Sequence, residues 1–111
     1  MKIEIITMFP DFFDSVFSQS ILRRAQEAEK VNIVIHDLRE YAGGPYHHLD
    51  DYRFGGGAGM LLKPEPFFQV FEKIIGGSSK LPLIIFPTPQ GIPFTQPIAD
   101  ELVAEDHLVF L

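Results

Sequence analysis

The stretch HHLDDYRFGGGAGMLLKPEP, residues 47–66, gathers many of the residues in this chain that could do chemistry. Imidazoles, carboxylates and glycines follow one another there without helical or strand periodicity. Its carboxylates could exchange a proton, bind a divalent metal or accept hydrogen bonds from a base edge. Its glycines permit positive φ and a close approach of ligand to backbone. A metal site, a phosphate cradle, a substrate loop and a plain turn all remain open.

The residues that could ligate a metal are His47, His48, Asp50 and Asp51. Adjacent histidines on a loop rarely point at one ion, and no HxxxH or HExxH helical spacing is present. We therefore predict no metal site. The histidines are better explained as solvated or ligand-contacting, and the aspartates as an acid/base pair, contacts to a base, or caps of a turn.

The glycine run consists of Gly55, Gly56, Gly57 and Gly59, interrupted by Ala58. It is not a Walker loop, because no Gly-Lys-Ser/Thr follows, and it does not match GxGxxG directly after a strand. Long glycine-rich loops in compact domains tend to carry sites, but a flexible turn before the next helix explains the same residues.

A second motif, FPTPQG at residues 86–91, follows an apolar run that is typical of a strand. Its two prolines stiffen the backbone. In open α/β sheets, a cofactor binds beyond the carboxyl ends of the strands. From the local pattern alone, a plain strand-to-helix connection is the better interpretation.

Strands and helices that must position these motifs alternate along the chain. Strands are predicted at residues 2–9, 31–38, 81–86 and 107–111, and helices at residues 10–17, 20–30, 64–75 and 96–105. Ser20 and Thr95 are predicted helix caps. This order predicts an α/β fold with a parallel sheet and flanking helices.

The apolar faces of the first two helices are predicted to be buried. The residues on these faces are Phe9, Phe12, Phe13, Val16, Phe17, Ile21, Leu22, Ala25 and Ala28. His36 and His107 fall on predicted strands, where we expect packed or surface side chains rather than ligands.

Composition places limits on the class of protein. The hydrophobic fraction of 46% suits a folded core, and the net charge of −6 argues mildly against a complete nucleic-acid-binding domain. The absence of cysteine excludes disulfides and thiolate chemistry. With no membrane-length apolar run and no signal-peptide pattern, we expect a cytoplasmic protein. Because the chain stops inside an apolar strand, we also expect it to be part of a longer protein.

Three blocks in this order resemble one family: IITMFPDFF (5–13), LDDYRFGGGAGMLLKPEP (49–66) and FPTPQG (86–91). They resemble the N-terminal half of bacterial tRNA (guanine-N(1)-)-methyltransferases of the SPOUT class. The resemblance covers essentially all 111 residues. It implies a truncated part of a trefoil-knotted domain that binds S-adenosylmethionine, without the C-terminal tRNA-binding domain.

The resemblance also implies a reaction, partners and site residues. S-adenosylmethionine would methylate N1 of the guanine just 3′ of the anticodon in tRNA, in a homodimer with active sites at the subunit interface. Asp50 and the glycines Gly55, Gly56, Gly57 and Gly59 match the guanine end of that site. The matching cofactor neighbours are Phe86, Pro87, Thr88 and Pro89, mostly through backbone, with Thr88 where the family commonly has serine.

Other parts of the family pattern are changed or lie outside this sequence. Tyr46, His47, His48 and Leu49 replace a basic run, and Arg53 stands where proline is frequent. The family's general base would lie beyond Leu111, so no catalytic residue is assigned and the 111 residues alone are expected to be inactive. A non-catalytic nucleotide- or anion-binding module and a metal-dependent hydrolase using His47, His48 and Asp50 remain alternatives.

Overall fold

A computed structural model describes residues 1–44, 48–52, 55–56, 58–77 and 80–111 of the chain. Its strands are β1 (Lys2–Thr7), β2 (Asn32–Asp37), β3 (Asp50–Tyr52), β4 (Met60–Leu62), β5 (Leu83–Ile85) and β6 (His107–Phe110). Its α-helices are α1 (Asp11–Phe17), α2 (Ser20–Glu27), α3 (Glu65–Ile75) and α4 (Gln96–Leu102), and a 3-10 helix covers Leu38–Tyr41.

The main sheet has the strand order β2-β1-β6-β5, and every neighbouring pair is parallel. Its strands are rich in isoleucine, valine and leucine, as expected for a parallel sheet covered on both faces. The prediction of an α/β fold with a parallel sheet and flanking helices is therefore confirmed. All four strands end at one edge of the sheet, here called the carboxyl edge, and begin at the opposite amino edge.

The best-buried core lies between the sheet and α3. Val70 and Ile74 are one turn apart on α3, and they cluster with Ile6 of β1 and Val109 of β6. Leu38 of the 3-10 helix closes the same cluster. This packing fixes the start of α3, and with it the end of the loop that precedes it.

The prediction that the phenylalanine-rich helix face is buried is wrong in part. Phe13 and Phe17 are half-buried and stack at 5.5 Å, whereas Phe9 and Phe12 are 61% and 71% exposed. Ile21 is 74% exposed. Helical periodicity identifies one apolar side of a helix, but it does not show whether this chain supplies something to cover that side.

Both predicted caps also differ from expectation. Gln19, not Ser20, is the N-cap of α2, and Ser20 is its first residue with φ of 50°. Thr95 is the N-cap of α4 as predicted, but its side chain makes no capping hydrogen bond. Ser20 is not the N-cap because only two residues separate α1 from α2, and the residue with extended backbone is Gln19, one position earlier.

The described residues between β2 and α3 form more regular structure than the sequence suggests. Asp37 Oδ1 accepts a hydrogen bond at 2.9 Å from the Arg39 N–H and so caps the 3-10 helix. Further on, β3 and β4 pair antiparallel, with Asp50 opposite Leu62 and Tyr52 opposite Met60. Three-residue strands are too short to show a clear period-2 pattern, so the hairpin could not be predicted from alternation.

Candidate functional site

The turn after β5 forms one wall of an apolar cavity. Backbone atoms hold the turn, because the Gly91 N–H donates to the Thr88 carbonyl at 2.9 Å. The amide of Gln90 lies 3.5 Å from Thr88 Oγ1, at the long limit of a hydrogen bond. Prolines at 87 and 89 restrict φ on either side of Thr88. The turn is therefore rigid without help from a distant part of the chain.

The cavity beside this turn has a volume of about 490 Å³. It lies at the carboxyl edge, between the turn and α4, where a cofactor is expected in an open parallel sheet. Its lining residues are Ile85, Phe86, Pro87, Thr88, Gly91, Ile92, Phe94, Ile98, Leu102 and Phe110. Phe86, Pro87 and Thr88 thus line this cavity, whereas Pro89 is not among the lining residues.

Sequence reasoning missed the apolar side of this cavity. Ile92 and Phe94 follow the turn and are 81% and 73% exposed, and Ile98 of α4 is half-buried beside them. Isolated apolar residues after a turn have no distinctive spacing. The one local pattern is that Thr88, Gly91 and Phe94 recur at intervals of three residues. A pattern this short does not identify a pocket.

The glycine loop is placed by the hairpin that encloses it. Asp50 begins β3 and is exposed, and the Lys63 N–H donates to the Leu49 carbonyl at 2.7 Å, which closes the base of the hairpin. The Asp51 carboxylate accepts from the Tyr52 N–H at 2.8 Å, so this aspartate stabilises local backbone. Asp50 is exposed beside it.

The described glycines of the loop adopt the conformations that the sequence predicted. Gly55, Gly56 and Gly59 have φ of 84°, 78° and 97°. At Gly55 and Gly56 an added Cβ would meet no atom within 4 Å, so backbone conformation rather than lack of space requires glycine there. Gly57 lies outside the described residues.

A second cavity, of about 590 Å³, lies at the base of this hairpin. His48 and Asp51 line it together with Lys63 and Glu65. His47 and Arg53 lie outside the described residues. Within the described part of the chain, no three His, Cys, Asp or Glu side chains are grouped so that they could hold a metal ion.

The two candidate regions follow opposite outer strands of the sheet. The glycine loop comes after β2 and the 86–91 turn comes after β5, with β1 and β6 between them. Three inter-strand steps correspond to about 14 Å. The ends of β2 and β5, from which the two segments continue, therefore lie on opposite sides of the sheet.

Arg39 also lies beyond the end of β2. Its guanidinium carbon is 5.5 Å from the centre of the Phe9 ring, which follows β1 at the same edge. Such a contact holds an arginine in place through the ring face. The carboxyl edge thus carries an oriented cation close to the exposed N-terminal phenylalanines.

A charged cluster that sequence reasoning missed lies at the amino edge. Glu4 is 2% exposed, and its carboxylate accepts from Lys2 Nζ at 2.5 Å, His36 Nε2 at 2.5 Å and His107 Nε2 at 2.8 Å. Burial raises the pKa of Glu4, but the hydrogen bonds from Lys2 and His36, the charge of Lys2 and the His107 bond outweigh it and leave that pKa below the usual value. His36 and His107 are packed side chains, as expected.

Among the described residues, no helix is both long and apolar enough to cross a membrane.

Comparison with known proteins gives a family match over the whole chain. The family model for tRNA (Guanine-1)-methyltransferase TrmD matches residues 1–111. A tRNA (guanine-N(1)-)-methyltransferase of Bacillus cereus (strain B4264) is 45% identical over 111 residues, which is 100% of this chain and 46% of the relative. The protein of the same name from Bacillus anthracis (strain CDC 684 / NRRL 3495) is 44% identical over the same shares.

Among solved structures, the crystal structure of tRNA (m1G37) methyltransferase from Aquifex aeolicus matches with a TM-score of 0.86 and 27% identity. The match covers 99% of this chain and 49% of that one. The chain thus spans about half the length of the curated relatives it matches. Because the family model matches from the first residue to the last, the chain belongs to the tRNA (guanine-1)-methyltransferase TrmD family.

Proposed function

We propose that this chain supplies the cofactor turn and one side of the guanine site of an S-adenosylmethionine-dependent tRNA (guanine-N1)-methyltransferase. The substrate is the guanine just 3′ of the tRNA anticodon, and the enzyme acts as a homodimer in the cytoplasm. The observation that carries the proposal is the family match over residues 1–111. The rigid turn at the carboxyl edge supports it, since that is where this fold binds cofactors.

The turn cavity is suited to S-adenosylmethionine. A volume of about 490 Å³ falls within the roughly 300–1,000 Å³ range of small-molecule sites. Its walls are largely apolar, and the backbone of Phe86, Pro87 and Thr88 offers polar groups from a fixed turn. We assign Pro89, the next residue of the turn, as a further cofactor neighbour. When bound, S-adenosylmethionine supplies a methyl group activated by its sulfonium, so the protein's task is mainly alignment.

The guanine end is assigned to Asp50 and the glycine loop. A neutral guanine carries a proton on N1, which must leave as the methyl group arrives, so a base is required. Asp50 is exposed at the start of β3 and can accept hydrogen bonds from the base edge. We assign it to substrate binding with Gly55, Gly56, Gly57 and Gly59, and we assign proton removal to a residue outside these 111.

The position of the two regions supports a homodimer. The segments that carry the loop and the turn leave opposite outer strands, whose ends are about 14 Å apart. A second copy that presents its loop to the first copy's turn would bring them together. This arrangement would also place the subunit interface at the carboxyl edge.

A chimaera tests the proposed function directly. Residues 1–111 are joined to the unmatched part of the Bacillus cereus relative, and transfer of labelled methyl groups from S-adenosylmethionine to a tRNA transcript is measured. We expect incorporation into a transcript with guanine 3′ of the anticodon and none into a matched transcript with adenine there. A folded chimaera that binds the tRNA but transfers no methyl group would contradict the proposal.

A further inference from the structure

A separate cavity of about 480 Å³ lies at the amino edge of the sheet, away from both candidate regions. It is enclosed by the first residues of β1 and β6, by β2 and by the C-terminal end of α3. Its charged and titratable lining residues are Lys2, Glu4, His36, Lys73 and His107. Nothing in the proposed methyl transfer uses this edge.

Among the described lining residues, Glu4 is the one carboxylate, and neighbouring side chains of the same cavity pair with it. Glu4 receives one lysine and two imidazoles on its two oxygens, and it is almost inaccessible to solvent. A carboxylate in this state has little remaining capacity to bind a cation. It therefore acts as a support that orients Lys2 and the imidazoles along the cavity wall.

The accessible charges of the cavity are the two ammonium groups. The Lys2 side chain is 43% exposed, and among the described residues its Nζ contacts only Glu4. Lys73 is exposed, and its Nζ donates to the Tyr41 hydroxyl at 2.8 Å. An ammonium has three donors, so both lysines retain N–H groups for a ligand.

The charge balance of this wall contrasts with that of the whole chain. The chain carries a net charge of −6, yet this cavity combines two lysines and two imidazoles with one carboxylate. Glu40, which is not among the lining residues, contributes its charge to raising the Lys73 pKa, after the hydrogen bond and charge of Tyr41. The lining side chains themselves carry two ammonium groups against one carboxylate, and this excess of positive charge favours an anion.

We propose that this amino-edge cavity binds a small oxyanion, a free phosphate or sulfate group, held by Lys2 and Lys73. The volume is that of a small-molecule site, and the lining residues come from strands and from the end of a helix. Phosphate-like groups are bound by point charges of this kind together with neutral hydrogen-bond donors. The proposal is independent of the methyl-transfer assignment.

Sulfate titration followed by backbone amide NMR of the 111-residue chain tests the proposal. We expect saturable shifts confined to the amides of residues 2–4, 73–77 and 107. Lys73→Met and Lys2→Met should each weaken binding about tenfold. Arg24→Met, which removes an exposed cation of α2, should leave it unchanged.

Three results would overturn the proposal. The first is an affinity that neither lysine variant changes, and the second is shifts scattered over all exposed lysines without saturation. The third is a short single-stranded RNA that competes with sulfate through the same lysines, which would indicate a nucleic-acid surface instead. Because Lys73 is exposed on the last turn of α3, loss of the fold is not expected to confuse the Lys73→Met result.

Discussion

At the scale of single residues, Gly91 determines the shape of the cofactor turn. A Cβ at this position would lie 3.1 Å from the Thr88 carbonyl oxygen and 3.5 Å from Thr88 Cγ2. The first distance is closer than ordinary van der Waals contact, so a side chain would push Thr88 aside by a few tenths of an ångström. Thr88 lines the cavity, and the change would therefore reach the ligand.

We expect Gly91→Ala to weaken S-adenosylmethionine binding about tenfold, which corresponds to about 1.4 kcal/mol. Isothermal titration calorimetry measures the dissociation constant, with ATP and phosphate as comparison ligands. Gly77→Ala is the matched control, because an added Cβ there meets no atom within 4 Å and Gly77 is remote from the turn. Equal affinities for Gly91→Ala and the unchanged chain would show that the turn does not bind the cofactor.

Residue types reveal part of such a site, and their limits are physical. The glycines of the loop indicated from the sequence that positive φ is permitted there, and the described ones do take positive φ. The role of Glu4 could not be predicted from the sequence. Its partners His36 and His107 are 32 and 103 positions away, and only the strand order brings them to it. The same holds for Ile92 and Phe94, whose place in a cavity depends on α4 folding back beside them.

At the scale of elements, Glu4 links three adjacent strands. Lys2 and Glu4 lie on β1, His36 on β2 and His107 on β6, so one buried carboxylate connects the middle of the sheet across two strand pairs. Removing one partner of a buried charged network leaves the others unsatisfied. The cluster therefore makes a contribution to stability that depends on the charge of Glu4.

The pKa of Glu4 is lowered in the folded state, which gives the sign of its pH dependence. The stabilisation by the ionised Glu4 carboxylate is fully present above the pKa of an unfolded glutamate, about 4.3. It is lost as pH falls toward the lower pKa of Glu4 in the folded chain. We expect Glu4→Gln to cost roughly 2 kcal/mol of unfolding free energy at about pH 5, and the cost to shrink at about pH 3. Urea denaturation at both pH values measures this cost. Histidine ordinarily changes charge at higher pH, so the difference between the two pH values reports on Glu4.

Glu27→Gln is the matched control for this measurement. Glu27 is exposed on α2 and pairs with Arg23 at 3.5 Å, so its replacement should change stability by less than about 0.5 kcal/mol at either pH. If the Glu4→Gln cost were the same at both pH values, the ionised carboxylate would not be what stabilises the three strands.

The elements themselves were largely predictable, and the two misses have different physical causes. Alternating strands and helices of ordinary length carry strong periodic signals, and each has a counterpart close to its predicted position. The β3–β4 hairpin was missed because strands of three residues have no measurable period. The exposure of Phe9 and Phe12 was missed because a pattern identifies an apolar face without identifying what covers it.

At the scale of the whole molecule, the chain has more surface than a self-sufficient domain of its size. Its accessible surface is 8,370 Å², whereas a compact monomer of 12.6 kDa is expected to have about 6,200 Å². Its radius of gyration is 16.1 Å against an expected value of about 13 Å. Large apolar side chains are exposed, including Phe9, Phe12 and Phe86 near the carboxyl edge. Exposed apolar surface of this extent is typical of a chain that buries it against a partner.

We expect the 111-residue chain to self-associate through the carboxyl edge, with an average mass that rises toward twice 12.6 kDa as concentration increases in sedimentation equilibrium. Phe12→Ser should weaken this association about tenfold, because Phe12 follows the end of β1 and is 71% exposed there. Val103→Ser is the matched control: Val103 is also 71% exposed, but it follows α4 at the amino edge, so its replacement should leave the association unchanged. A monomer at all concentrations, or equal effects of the two substitutions, would mean that the carboxyl edge is not where two copies meet.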